Sequence, residues 1–225
     1  MKHMHMDAGT KIVRAGELIE NVWKQAYDLG NSLRAITESG LKNNEFDKLQ
    51  IAGKSNLRYQ QSLSGWSTTS SSISIPVMER NRRKMAASAW INYQISVFGG
   101  GLPPLGDGHG ESIGPVLHVS FWRHATDFKD EEFYVTFPPN WNYWEVKDER
   151  LIFWDSEQDG KYPQWTFSLR LLELDSEHAL RTSVLAPIKA LLAKAEPAAA
   201  LPANLPGLIF YANDETGLNL VASRP

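Results

Sequence analysis

The chain has 225 residues, enough to bury roughly 70% of the surface its unfolded form would expose without metal or disulfide staples. It contains no cysteine, which excludes disulfide frameworks, thiolate nucleophiles and thiolate metal sites, and its aromatic content of 11% with eight Trp excludes a disordered chain. Its 23 basic and 26 acidic residues give a formal net charge of −3, so a surface that tracks a phosphate backbone throughout is excluded as well.

The opening Met1 to Met6 alternates His with Met and reads as an appended tag, and residues 1–9 are expected to stand outside the fold. From Ile12 to Ile36 the apolar positions Ile12, Ala15, Ile19, Val22, Ala26, Leu29, Leu33 and Ile36 step by three and four without a break, which predicts a helix within 10–42. Thr10 is placed to cap it, Gly40 with Lys42-Asn43-Asn44 to stop it, and Leu18 and Trp23 widen its stripe. The same heptad spacing permits a homodimer through the 12–36 helix.

Asn43 to Ser72 is polar and reads as a connector with one short helix near 46–51. Then the period becomes two. Ile73, Ile75 and Val77 form a strand, which Pro76 assigns to a sheet edge or a bulge because it cannot donate to a ladder. Ala89, Ile91, Tyr93, Ile95 and Val97 form the next, beyond a charged turn from Glu79 to Lys84.

The Gly/Pro segment 99–110 lacks the lysine and the following helix of a nucleotide loop and reads as a long connector or a lid. It leads into a strand with Leu117, Val119 and Phe121 on one face and Val116, His118, Ser120, Trp122 and His124 on the other. Phe133, Val135 and Phe137 are expected to return as its hairpin partner. Leu151 to Trp154, a turn at Asp159-Gly160, and Trp165 to Leu171 make a further hairpin.

Ser176 caps a second helix through Leu192, in which Pro187 should produce a kink or a break. The Ala/Pro stretch to Pro206 reads as an extended surface linker. Leu208–Tyr211 and Leu218–Val221 make a last hairpin. The order predicts one α+β domain over 10–225: a mostly antiparallel sheet of six to eight strands, with the N-terminal helix and a C-terminal helix packed on it.

Specific chemistry is scarce. The tract around 195–212 carries Pro197, Pro202 and Pro206 and cannot be a membrane span, and no charged start leads into an apolar leader, so a cytoplasmic protein is expected. No cofactor motif is legible. Asp107, His109 and His118 are the one metal-ligand set the spacing allows, since His118 and His124 stand roughly 20 Å apart on a regular strand. Asp155, Glu157, Asp159 and Lys161 fit a solvated turn better than a nuclease centre, and no Gly-x-Ser-x-Gly surrounds Ser112, Ser120 or Ser183.

Arg80, Arg82, Arg83 and Lys84 form a basic hairpin tip that would hold phosphates if the protein bound nucleic acid. Trp122, His124, Tyr134, Trp141, Tyr143 and Trp144 either lie under a sheet covered on both faces or present an aromatic patch to a protein partner. The expected function is a non-enzymatic, accessory, immunity or chaperone-like module that binds a protein through that aromatic surface. The alternatives are a metal-assisted hydrolase or nuclease at the Gly-rich loop and nucleic-acid binding at the basic tip.

Overall fold

A computed structural model describes residues 8–46, 48–61, 68–80, 86–97, 114–130, 133–136, 144–154, 163–214 and 217–221. Helix α1 (Ala8–Lys42) is one continuous rod that begins ahead of Thr10, so that residue lies inside the first turn and does not cap it. At the far end Gly40 admits the ring of Phe46, whose Cε2 lies 2.7 Å from where a Cβ would stand.

Eight strands follow in one sheet: β1 (Leu49–Ile51), β2 (Asn56–Gln61), β3 (Thr68–Glu79), β4 (Ala89–Ser96), β5 (Val116–Trp122), β6 (Trp144–Lys147), β7 (Leu151–Trp154) and β8 (Gln164–Arg170). Their order is β1-β3-β4-β5-β8-β7-β6, with β2 also on β3, and every pairing is antiparallel. The α+β architecture read from the sequence is the one observed.

Three strand assignments differ from the expectation. The connector 43–72 holds β1, β2 and the start of β3 in place of a helix at 46–51. Trp144 opens β6, whose hairpin with β7 turns through Asp148 and Glu149 at φ 51° and 56°, a left-handed pair with no glycine to announce it. Among residues 133–136 there is no strand: β5 pairs with β8, and Val135 satisfies its own N–H and C=O on the side-chain amide of Gln94, at 2.8 Å each way.

Pro76 behaves as its chemistry requires. Its carbonyl accepts from Ala52 N at 2.9 Å, so its nitrogen also points toward the first two strands, where the pairing breaks between Ile51 and Asn56.

The sheet has two unlike faces. On one, Ile75, Ile91, Val119 and Phe167 join Ala26, Leu33 and Ile36 of α1 in the main core. On the other, Ser70, Ser72 and Ser74 stand beside Ser96, Gln94 and Asn92, and these beside His118 and Ser120, then Ser168 and Thr166. This polar face is buried. Its groups bond to one another and to the covering segment: Ser120 Oγ to Thr166 Oγ1 at 2.9 Å, Asn92 Nδ2 to the His124 carbonyl at 3.1 Å, and Thr126 N to Ser74 Oγ at 3.0 Å.

The second helical region is α2 (Glu177–Leu180), a π-helical turn (Arg181–Leu185) and α3 (Ala186–Leu192), with Ser176 Oγ accepting from Ala179 N as the expected cap. The wide turn falls just ahead of Pro187, where the missing amide would otherwise leave a gap in the ladder. The Ala/Pro stretch is no extended linker: it forms α4 (Pro197–Ala200) and buries Ala200 and Leu201. β9 (Phe210–Asp214) and β10 (Gly217–Val221) form the terminal hairpin. Among the described residues no helix is long and apolar enough to cross a membrane.

Candidate interaction surface

The heptad stripe of α1 has two fates. From Ala26 onward it is buried on the sheet through Leu33 and Ile36. Ahead of Val22 every described side chain is exposed, and Val13, Leu18 and Ile19 are 60%, 65% and 48% accessible. About two further heptads thus carry apolar residues with no described residue packed beneath them.

The flank of α1 that continues from this bare half borders an apolar groove of about 400 Å³. Trp23, Tyr27 and Gly30 of α1 form one wall, Leu57 and Tyr59 of β2 the other, and Ile73, Tyr93 and Ile95 the floor. The register explains the second wall: Leu57 pairs with Ile73 and Tyr59 with Ser71, so both β2 residues lie on the sheet face that α1 covers, one strand beyond its reach. Tyr27, Leu57 and Tyr59 stand open to solvent. Burial, with Tyr27 nearby as the lesser cause, pushes the Tyr59 phenol up from its ordinary range.

Two glycines mark the helix side. A Cβ on Gly30 would fall 2.9 Å from Ile73 Cδ1, so Gly30 lets α1 settle onto β3. Gly16 has no such reason, because no described atom lies within 4 Å of its missing Cβ. A glycine inside a helix costs about 1 kcal/mol relative to alanine, and at Gly16 nothing in the described chain offsets it. At the floor, Tyr93 Oη and Thr37 Oγ1 are 2.6 Å apart and buried, which ties α1 to β4.

The aromatic residues expected at the partner surface divide. Trp122 and Tyr134 are buried, and with Val135, Ile152 and Tyr211 the Trp122 ring builds a second small core against which Trp144 and Trp154 pack. Trp122 Nε1 donates to Thr166 Oγ1 at 3.1 Å. His124 is half-buried between the Trp122 and Phe133 rings, 5.1 and 4.3 Å away. Trp122 and Tyr134 are therefore interior side chains, because residues 124–130 and 133–136 fold back over the polar face. Trp141 and Tyr143 lie outside the described residues.

Of the metal-ligand set, Asp107 and His109 lie outside the described residues. His118 is fully buried, with Nδ1 2.7 Å from Ser168 Oγ, which in turn is 2.8 Å from Tyr211 Oη. Among the described residues no three His, Asp or Glu side chains gather as a metal site would require. Of the basic tip, Arg82, Arg83 and Lys84 lie outside the described residues. Arg80 donates to the Leu41 carbonyl at 2.9 Å, capping the last turn of α1 where a cation suits the helix dipole.

Sequence reasoning missed the groove. The signal available was Trp23 and Tyr27, one turn apart and off the heptad seam, together with the alternation of Leu57 and Tyr59 within a polar stretch. Comparison with protein-family models, with curated proteins and with solved structures finds no match to this chain.

Proposed function

We propose that this protein is a non-enzymatic interaction module that receives a helical segment of a protein partner in the groove between α1 and β2. The observation that carries the reading is the continuity of two features: an apolar helix half on which no described residue packs, and an open aromatic-walled groove along the same helix. An amphipathic helix laid into an apolar groove is a recurrent mode of recognition, anchored by residues one turn apart. Tyr and Trp supply large contact area with little rotamer entropy to lose, and four such rings (Trp23, Tyr27, Tyr59 and the floor residue Tyr93) line this site. The interior position of Trp122 and Tyr134 supports moving the expected surface from the strand aromatics to this groove.

The test is site-specific photocrosslinking in the source cells. A benzophenone side chain in place of Tyr59 is expected to trap one dominant polypeptide, and the same group at Trp154, beside the second core, is expected to trap little. Equal yields at the two positions, or none at Tyr59, would overturn the assignment of the surface.

A further inference from the structure

We infer that the occupant of the groove is the front half of α1 from a second copy of this chain, lying antiparallel to the first. This rests on the interaction reading above and names its partner. Along α1 the stripe Val13, Gly16, Glu20, Trp23, Tyr27 and Gly30 recurs at three and four residues, and its last four members line the groove.

Laid antiparallel on itself, the stripe has a register in which the open position at Gly16 meets a large ring. Val13 falls opposite Gly30 of the second copy, Gly16 opposite Tyr27, and Glu20 opposite Trp23, with each contact repeated by the two-fold axis. That register gives Gly16 a role that no described residue of its own chain supplies: a tyrosine ring needs the space where its Cβ would be. The Val13 side chain would enter the groove beside Gly30, whose own missing Cβ faces Ile73.

The flanks agree with the same register. On the outer side Glu17 falls opposite Lys24 of the second copy, twice per dimer, and no like charges meet there. On the inner side Ile19 falls beside Ala26. Glu20 keeps its carboxylate at the rim, one turn from Lys24 of its own helix.

The overlap of residues 13–30 is about 27 Å of helix, short for a free-standing coiled coil. Leu57 and Tyr59, exposed on β2, extend the contact by offering each incoming helix a second apolar wall. Groove and filler belong to one helix, so a two-fold pairing covers both copies and leaves no open end to form fibres.

The experiment is sedimentation equilibrium of the intact chain across a wide concentration range, with three variants. Wild type is expected to move from one chain mass to two as concentration rises. Gly16→Leu, which should strengthen the helix and add apolar surface, is nevertheless expected to weaken dimerisation by tenfold or more, because the leucine meets Tyr27 of the other copy. A helix signal and melting temperature at or above wild type would show that Gly16→Leu is folded. Glu17→Lys alone is expected to weaken the dimer about tenfold, and Glu17→Lys with Lys24→Glu to restore it.

A dimer strengthened by Gly16→Leu, or indifferent to the charge exchange, overturns this register and with it the inference. A single-chain mass at every concentration also overturns it. In that case crosslinking of another polypeptide at Tyr59 would leave the interaction reading standing, whereas its absence would remove both.

Discussion

Gln94 shows how much a single side chain fixes in this molecule. Its amide both donates to and accepts from the backbone of Val135, with each contact at 2.8 Å, and so replaces a strand neighbour for a segment that has none. Gln94→Leu would leave the Val135 N–H and C=O buried without partners, and is expected to cost roughly 2–4 kcal/mol, measured by denaturant unfolding. A loss under 0.5 kcal/mol would mean that water replaces the amide. His124 offers a pH signature. Burial holds its imidazole below the ordinary 6.5, while the Ala125 carbonyl and Asp130 oppose the shift only in part. The unfolded chain therefore binds this proton at higher pH than the folded one. The stability is fully present above about pH 6.5 and is lost as pH falls from there toward the depressed folded value. His124→Gln is expected to flatten that part of the melting-temperature profile between pH 7 and 5, and an unchanged slope would contradict the assignment.

Among elements, those with strong periods were legible: α1, β4, β5, β8 and the helix after Ser176 fall where alternation or three-four spacing puts them. The missed ones have physical reasons. β2 carries Leu57 and Tyr59 among Asn, Arg and Gln because it is an edge strand with one face half open, so its composition imitates a loop. The β6–β7 turn uses Asp148 and Glu149 at positive φ, and Asp148 holds its place by accepting from Ala198 N at 3.1 Å, a contact no local pattern reveals. The return strand is absent among residues 133–136, where alternation cannot distinguish a ladder from a segment bound by a glutamine. The Ala/Pro stretch folds tightly because Gly207, at φ +75°, turns the chain onto β8, its carbonyl accepting from Arg170 N at 2.7 Å. A Cβ at Gly207 would lie 2.9 Å from Glu173 Cβ and 3.2 Å from the Arg170 carbonyl oxygen. Gly207→Ala is expected to destabilise the fold by about 1–3 kcal/mol in denaturant melts, and a neutral result would show that this turn yields easily.

At the scale of the whole molecule, the polar face of the sheet is closed and hydrogen-bonded while the apolar flank of α1 is left open, the reverse of what alternation alone suggests. Alternation assigns side chains to faces but not faces to solvent, because the cover comes from distant chain: Val135 and Tyr211 over the polar side, α1 over most of the apolar side. The candidate site was correspondingly hard to read, since Trp23, Tyr27, Leu57 and Tyr59 meet only after α1 and β2 are set side by side. The front half of α1, on which no described residue packs, should fray rapidly in a lone protomer, because isolated helical turns are marginal in water. The most direct measurement is hydrogen exchange of the amides in residues 13–24 at low and high protein concentration, for wild type and Tyr59→Glu. Protection that rises with concentration and is lost in Tyr59→Glu is the predicted result, and protection independent of both would contradict a second chain in the groove.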